Sequence, residues 1–215
     1  VLIHCASATP EKYKEKYFDK INIFGFKSLL KKLNLKILKK IILISSISIY
    51  EDNNQKHINE ETKPKFHSKY ALSKFRQEKV LKSFQKGSIK KIILRLSSIL
   101  SKNSEVNFFC RMINDIKKER EIRLFGAEKK INSIFYVNDL ANLVVKLVKK
   151  PIKKTNSTYN VVSSKYMKLF EIVNMIYLKL KKNKKILLFK KREKDHIYSV
   201  KKLNQIGFDI PTTKQ

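Results

Sequence analysis

The sequence predicts an α/β fold in which the strands of a parallel sheet alternate with helices. Two runs, KKIILISSISIY (39–50) and KKIILRLSSIL (90–100), are apolar and rich in β-branched residues, as in strands that are buried on both faces of a sheet. Segments with helical spacing of apolar residues separate these runs, and a shorter apolar run, VLIHCA (1–6), precedes them. This β-α-β-α-β order favours right-handed crossovers with helices on both faces of the sheet.

The other elements follow from the same patterns. Pro10 opens a stretch in which Tyr13, Tyr17 and Ile21 lie near helical spacing, and the polar segment 51–66 predicts a loop. Helices are predicted at 11–34, 68–84, 105–119, 138–150, 167–182 and 200–206, and strands at 1–6, 39–50, 90–100, 121–125, 133–137, 157–163 and 185–189.

The composition excludes several classes of protein. The 215 residues, 42% of them hydrophobic, suffice for a buried core. No apolar run approaches the roughly 18 to 20 residues that cross a bilayer, and VLIHCA lacks the basic region of a secretory signal. Cys5 and Cys110 are the only cysteines, which are too few for a disulfide framework or a zinc cluster. We therefore expect a cytoplasmic protein with no membrane partner and no metal site.

The net charge of +31 leaves two interpretations open. One is a polyanion partner, because clustered cations displace the counterions of nucleic acid. The other is codon bias, since only six of the 49 basic residues are arginine, the side chain best suited to phosphate and base recognition. We expect nucleic acid not to be the main partner, and a non-catalytic basic binding module is the alternative function.

The pair Tyr70 and Lys74, in HSKYALSKFRQEK (67–79), is the candidate catalytic centre. Its spacing alone proves nothing, because Tyr177 and Tyr198 also have a lysine four positions later. Tyr70, however, begins the helix that follows the strand ending in SSIS, so it faces the edge of the sheet where ligands bind. Lys74 lies one turn further on, where its ammonium would lower the pKa of the tyrosine and suit it for acid–base work. Ser46, at the strand end, could bond the same substrate oxygen.

Eight segments follow one another in the order of a known family. They are VLIHCAS, INIFGFKSLL, ILISSISIYED, KYALSK, IILRLSSIL, SIFYVNDLANLV, TYNVVS and KREKDHIYSVKKLNQIGFDIPTT. In this order they resemble the motifs VIHLAA, NVxGTxNLL, FVYISSxxVYG, YxxSK, ILRxxNVYG, RDFIHVDDLAxA, YNxG and RxxD with LGWxP. These motifs are those of the extended short-chain dehydrogenase/reductase family, in its NAD-dependent epimerase/dehydratase group that acts on nucleotide sugars.

The resemblance implies a mechanism and a set of site residues. Tyr70 would take a proton from a sugar hydroxyl while hydride passes to NAD, although NADP is not excluded, and Lys74 would hold the nicotinamide ribose. Ser46 would orient the substrate. The resemblance further implies cofactor contacts from Cys5, Ala6, Ser7, Asn22, Tyr70, Lys74 and Ser97, and substrate contacts from Ser46, Ser98, Asn132 and Arg192.

The resemblance also implies a domain organisation. Residues 1–100 would be the C-terminal part of an NAD(P)-binding Rossmann domain, and residues 101–215 a smaller α+β substrate lobe from which segments near 133–162 return to the sheet. A homodimer would be the oligomeric state. Nucleotide sugars would be the substrates, in an epimerase, a dehydratase or a reductase.

The sequence departs from the family pattern at several points. Its four glycines form no GxxGxxG loop, which in the family lies upstream of the segment that VLIHCAS resembles. We expect the Rossmann-type sheet to lack its first βαβ unit in these 215 residues, and the cofactor affinity of this chain alone to be low. Ser98 and Ser101 replace the Asn and Gly of the sixth-strand motif, and Asn132 replaces the arginine that meets a diphosphate in nucleotide-sugar epimerases.

Overall fold

The computed structural model describes residues 1–85, 88–102, 104, 107–151, 156–190 and 194–214. The chain forms two compact units. Unit 1 comprises Val1–Asn53, Glu60–Ser97 and Asn142–Val161. Unit 2 comprises Asn54–Asn59, Ser98–Ala141 and Val162–Gln215.

The helices and strands occur in the following order along the chain. The strands are β1 (Leu2–His4), β2 (Lys40–Ser46), β3 (His57–Ile58), β4 (Lys90–Leu96), β5 (Ser98–Leu100), β6 (Ile122–Phe125), β7 (Lys130–Ile131), β8 (Ile134–Tyr136), β9 (Asn156–Val161), β10 (Met167–Lys168), β11 (Ile186–Phe189) and β12 (Ile197–Tyr198). The α-helices are α1 (Phe26–Lys31), α2 (Lys69–Ser83), α3 (Phe108–Lys117), α4 (Val137–Lys149), α5 (Leu169–Leu180) and α6 (Lys201–Gln205).

Unit 1 is built on a parallel sheet in the order β1-β2-β4-β9. Ile42 of β2 pairs in register with Ile92 of β4, and both are completely buried. Helices α1 and α2 pack a core against the sheet that includes Phe26, Leu43 and Leu81. The parallel sheet with helices confirms the α/β fold class, and it places the carboxyl ends of β2 and β4 at one edge.

Unit 2 has its own core, and the strands described in it form two-stranded sheets. The pairs are β5 with β8, β6 with β11, β3 with β12, all parallel, and β7 with β10, which is antiparallel. The core lies between α3, α5 and these strands and includes Ile116, Leu124 and Val173, all fully buried. Strands β3, β7, β10 and β12 are two residues long, and the apolar pattern of the sequence did not predict them.

Three predicted elements differ from the structure. The predicted helix over 11–34 is a 3-10 turn at Glu15–Tyr17, a π-helix at Asp19–Gly25 and then α1. The predicted strand over 39–50 ends at Ser46, whose Oγ accepts a hydrogen bond from the Ser48 amide and so starts a 3-10 turn. The predicted strand over 90–100 breaks at Ser97 into β4 and β5, which belong to different sheets.

Among the residues described, none of the helices combines the length and apolar character that crossing a membrane requires.

Candidate active site

Helix α2 presents Tyr70 in its first turn because two acceptors hold the start of the helix. Ser68 caps it, with Oγ accepting from the Ala71 amide at 3.2 Å. The Glu51 carboxylate accepts from the Ser68 amide at 2.8 Å and from the His67 amide at 3.3 Å. Unpaired amides at a helix start favour such oxygens, so the position of Tyr70 relative to the end of β2 is well determined.

Tyr70 is half-buried and forms a hydrogen bond with Ser46, the serine at the end of β2. Its ring also meets that of Phe18 edge to face, with 5.8 Å between centroids. Burial raises the pKa of Tyr70, the hydrogen bond with Ser46 opposes this change, and the charge of Glu11 adds to it. At neutral pH the side chain is therefore a phenol that can donate a proton.

Lys74 lies one turn after Tyr70, but its ammonium points to other acceptors. Nζ donates to Gln77 Oε1 at 2.6 Å, to the Ile44 carbonyl at 2.8 Å and to Ser7 Oγ at 3.4 Å. The side chain is almost fully buried, and burial lowers the pKa of Lys74 to about 8. The charges of Glu78 and Cys5 act in the opposite direction and raise this pKa. The expectation that Lys74 lowers the pKa of Tyr70 is wrong for this structure, because burial outweighs other effects and the pKa is raised.

Asn22 connects the segment after β1 to α2. Its Oδ1 accepts from the Ala8 amide at 2.7 Å and from Ser7 Oγ at 3.0 Å. Its Nδ2 donates to the Ala8 carbonyl at 3.1 Å and to Ser73 Oγ at 2.9 Å. These bonds use both amide hydrogens, so in this arrangement Asn22 supports Ser7 and α2 and has no hydrogen left for a cofactor.

The predicted cofactor residues differ in how they are exposed. Cys5 and Ala6 are exposed, whereas Ser7 is half-buried and bonded to Asn22. Ser97 follows β4 at its carboxyl end, and its Oγ is buried without a hydrogen-bond partner among the described residues. A buried hydroxyl in this state costs free energy unless a water or another group satisfies it, and the predicted cofactor contact of Ser97 stays a prediction.

A buried ion pair fixes the C-terminal half of α2 to the sheet. Arg95 of β4 donates to both oxygens of Glu78, with Nε to Oε1 at 3.0 Å and Nη2 to Oε2 at 2.8 Å. Ser45 of β2 donates to the same carboxylate at 2.6 Å, and Arg95 also donates to the hydroxyl of Tyr50. Glu78 is one turn beyond Lys74, so this pair fixes the height and rotation of the helix that carries both candidate catalytic residues.

The predicted substrate residues Ser98 and Asn132 lie in unit 2, and Arg192 lies outside the described residues. Asn132 is buried and donates to the carbonyls of Ser163 at 3.0 Å and Tyr198 at 2.8 Å, and it accepts from the Tyr198 amide at 3.0 Å. Both amide hydrogens are thus used on the backbone, which favours a structural role over the predicted substrate contact. The Ser98 amide donates to the Ser133 carbonyl at the start of the β5–β8 pair.

Unit 2 contains a cavity of about 420 Å³ that sequence reasoning did not find. Its walls include the rings of Phe125 and Tyr198, the cations of Arg123 and Lys130, and His196. Phe125 stacks on Phe189 of the neighbouring strand, with 4.7 Å between ring centroids. Aromatic faces beside cations suit a ligand that has a planar ring and a negative charge.

The other two Tyr–Lys pairs have different roles. Tyr177 is a buried core residue whose hydroxyl donates to the Lys185 carbonyl at 3.1 Å, and Lys181 is exposed. Tyr198 is buried and lines the cavity. The described residues contain no group of three or more His, Cys, Asp or Glu side chains that could hold a metal ion.

Comparison with known proteins gives a family match over most of the chain. The model of a family described as the NAD dependent epimerase/dehydratase family matches residues 1–161. A comparison with curated proteins found no match.

Solved structures with the same fold cover nearly the whole chain. UDP-glucuronic acid 4-epimerase from Bacillus cereus, in complex with NAD, has a TM-score of 0.82 at 20% identity and covers 98% of this chain and 68% of its own. dTDP-4-dehydrorhamnose reductase from Bacillus anthracis, in complex with NADP, has a TM-score of 0.79 at 24% identity. The match covers 98% of this chain and 74% of the reductase chain. UDP-glucose 4-epimerase from Thermotoga maritima, with UDP-glucose, has a TM-score of 0.75 at 18% identity. The match covers 92% of this chain and 66% of the epimerase chain.

Proposed function

Because the chain belongs to the NAD dependent epimerase/dehydratase family, we propose that it serves NAD(P)-dependent chemistry on a nucleotide sugar, with Tyr70 as the proton-transferring residue. The observation that carries this proposal is the group formed by Tyr70, Ser46 and the buried Lys74 beside the end of β2. A lysine this deeply buried is uncommon, and a buried ionisable group with a shifted pKa beside a tyrosine is a candidate for a chemical role.

In this mechanism Tyr70 and Ser46 act on one sugar oxygen. In the oxidising direction Tyr70 would act in its phenolate form and take the proton of the sugar O–H, becoming the phenol. The sugar carbon would become a carbonyl as its hydride passes to a bound NAD. In the reverse direction the Tyr70 phenol, the form present at neutral pH, returns the proton to the carbonyl oxygen. Ser46 donates to the same oxygen and orients it.

The residues at the sheet edge fit the reacting end of the cofactor. The buried Ser97 Oγ lacks a partner among the described residues, and the weakest of the three Lys74 bonds, at 3.4 Å to Ser7, can exchange for a ligand hydroxyl. The four glycines of this chain do not have the spacing of the family's phosphate-binding loop. The proposal therefore assigns these 215 residues contacts to the nicotinamide ribose only.

The cavity of unit 2 is our candidate for the nucleotide part of the substrate. Phe125 and Tyr198 offer aromatic faces to a base, and Arg123 and Lys130 offer positive charge to phosphate. The epimerases from Bacillus cereus and Thermotoga maritima have been solved with UDP sugars, which supports this class of substrate.

The proposal is tested with the full-length product of the gene that encodes these residues. It is incubated with NAD or NADP and with UDP-glucose, UDP-glucuronic acid or a dTDP-linked 4-keto sugar. Absorbance of the reduced nicotinamide and chromatography of the sugar nucleotides report the reaction. Conversion of at least one sugar nucleotide is expected, and no conversion with either cofactor would contradict the proposal.

A salt series in the same experiment addresses the alternative of a basic binding module. Such a module would bind DNA or another polyanion with an affinity that falls steeply as salt increases, and Tyr70→Phe would leave that binding unchanged. The proposed enzyme instead shows turnover that depends on Tyr70.

A further inference from the structure

Gln77 forms the shortest bond to the Lys74 ammonium and has a fixed orientation. An ammonium has only hydrogens to donate, so the oxygen of the Gln77 side chain must be the atom that faces Nζ at 2.6 Å. The amide nitrogen of Gln77 therefore points the other way, where it lies 3.3 Å from Nε2 of His4. Gln77 is completely buried, which leaves it little freedom to turn.

His4 completes this chain of contacts from β1. Because the Gln77 nitrogen can only donate, Nε2 of His4 must accept, which assigns the neutral ring with its hydrogen on Nδ1. Burial, followed by the charge of Lys74, lowers the pKa of His4 and so favours this neutral form. The ring also stacks on Phe26, with 4.4 Å between centroids, so its orientation is held from both sides.

We propose that Gln77, oriented by His4, is a positioning residue that holds the Lys74 ammonium at the end of β2. Gln77 and the Ile44 carbonyl form two short bonds to Nζ, and the third hydrogen, on the 3.4 Å bond to Ser7, is the one available to a ligand hydroxyl. The value of holding Lys74 in this way rests on the proposed function of Lys74 in catalysis.

Other charged groups around Lys74 are accounted for. Glu78, on the same helix, and Cys5, after β1, both favour the charged lysine. Glu78 is bonded to Arg95 of β4, which limits its effect on Lys74. A substitution of Gln77 leaves the charges of Glu78 and Cys5 in place and changes the neutral acceptor closest to the ammonium.

The test measures the titration of Lys74 by NMR in protein labelled with ¹³C at lysine Cε. The Lys74 signal is identified by its loss in Lys74→Met. Gln77→Glu places a carboxylate beside Nζ and should raise the midpoint by about one pH unit or more, since an opposite charge at this distance favours the ammonium. Gln77→Met removes the acceptor and should lower the midpoint by about half a unit.

Two further variants control for charge and for folding. Gln85→Glu adds the same charge at an exposed position just beyond α2 and should leave the midpoint unchanged. His4→Phe keeps an aromatic ring against Phe26 but removes the acceptor for Gln77, so it should shift the midpoint in the direction of Gln77→Met without altering α2.

A lowered midpoint in Gln77→Met and in His4→Phe supports a positioning role, because a residue that only fills space would not produce it. The raised midpoint in Gln77→Glu confirms that position 77 lies beside Nζ. Midpoints within about 0.2 units of the wild type in Gln77→Met and in His4→Phe would overturn the inference. The titration needs neither ligand nor turnover, so this outcome would leave the proposed function standing. A full-length protein without turnover would likewise leave the titration result intact.

Discussion

Replacing Lys74 by methionine should change how the stability of the protein depends on pH. The substitution keeps a long unbranched side chain in the buried site on α2 and removes its ionisable group. It also leaves Gln77 Oε1 and the Ile44 carbonyl without this donor, which costs roughly 1 to 3 kcal/mol for a buried acceptor. The absolute change at one pH therefore mixes two effects, whereas the pH dependence isolates the titration of Lys74.

The magnitude follows from the pKa of Lys74, which burial lowers from 10.5 to about 8. Below pH 8 both folded and unfolded chains hold the proton, and burial of the charge reduces the free energy of unfolding by about 3 kcal/mol, at about 1.36 kcal/mol per pKa unit. As the pH rises above 8 the folded chain releases the proton first, so this cost disappears progressively up to about pH 10.5. Between pH 7 and 10 the wild type should gain about 2.5 kcal/mol relative to Lys74→Met.

The assay is urea unfolding followed by far-ultraviolet circular dichroism at about four pH values from 7 to 10. Subtracting the variant from the wild type cancels the titration of the other lysines and tyrosines, which both proteins share. Lys79→Met is the matched control, because Lys79 is exposed on the same helix. Its difference from the wild type should not vary with pH.

A difference between wild type and Lys74→Met that stays constant within about 0.5 kcal/mol from pH 7 to 10 would refute the reasoning. That result would mean that the folded chain holds the Lys74 proton as tightly as the unfolded chain. The bonds within the site would then offset the burial of the Lys74 charge, and the argument that its burial is costly would fail.

Three further substitutions test the supports of the site by urea unfolding. Glu78→Gln should destabilise the protein by roughly 3 to 5 kcal/mol, because it leaves the Arg95 charge buried without its partner, and a loss below about 1 kcal/mol would contradict the ion pair. Lys91→Met should cost roughly 1 to 2 kcal/mol, since Nζ of Lys91 donates to two carbonyls at the end of α2, and no loss would show that water replaces it. Asn132→Ala should cost roughly 2 to 3 kcal/mol through its lost backbone bonds, and weaker ligand binding at unchanged stability would instead restore the predicted substrate contact.

The fold of unit 1 could be predicted from local patterns because its strands are buried on both faces and its helices have regular apolar spacing. The runs that became β2 and β4 are continuous in hydrophobicity, and α2 has its capping serine at Ser68. The ends of the strands were less predictable. At Ser46 and Ser97 the chain turns although apolar residues continue, because a capping hydroxyl and a change of sheet partner decide the break.

The sequence indicated which elements carry Ser46, Tyr70 and Lys74, but not how the side chains are oriented. The order of Ser46, Tyr70 and Lys74 follows from strand and helix placement. The direction of the Lys74 side chain does not, since it depends on Gln77 and on Ile44, which is 30 positions away in the sequence. A glutamine three residues after a lysine on a helix was the one available signal, because residues at this spacing share a face.

In unit 2 the contacts of Asn132 favour a role that a motif comparison does not indicate. Asn132 stands at the position of a family arginine, yet its partners are backbone groups of Ser163 and Tyr198, which no local pattern indicates. The cavity walls likewise come from β6, β7 and the segment near β12, which are distant in sequence. The site forms by packing of segments that are distant in the sequence, and the apolar periodicity of single helices and strands does not indicate which segments meet.

The most direct test of the central claim is the turnover of Tyr70→Phe in the full-length protein, beside Tyr177→Phe as a control. If Tyr70 transfers the proton, Tyr70→Phe should lower turnover by about 10² to 10⁴-fold while the affinities for cofactor and sugar nucleotide stay within about threefold. Tyr177→Phe, which removes only a core hydroxyl, should keep its turnover. Wild-type turnover in Tyr70→Phe would contradict the account, because the proton would then pass through another group.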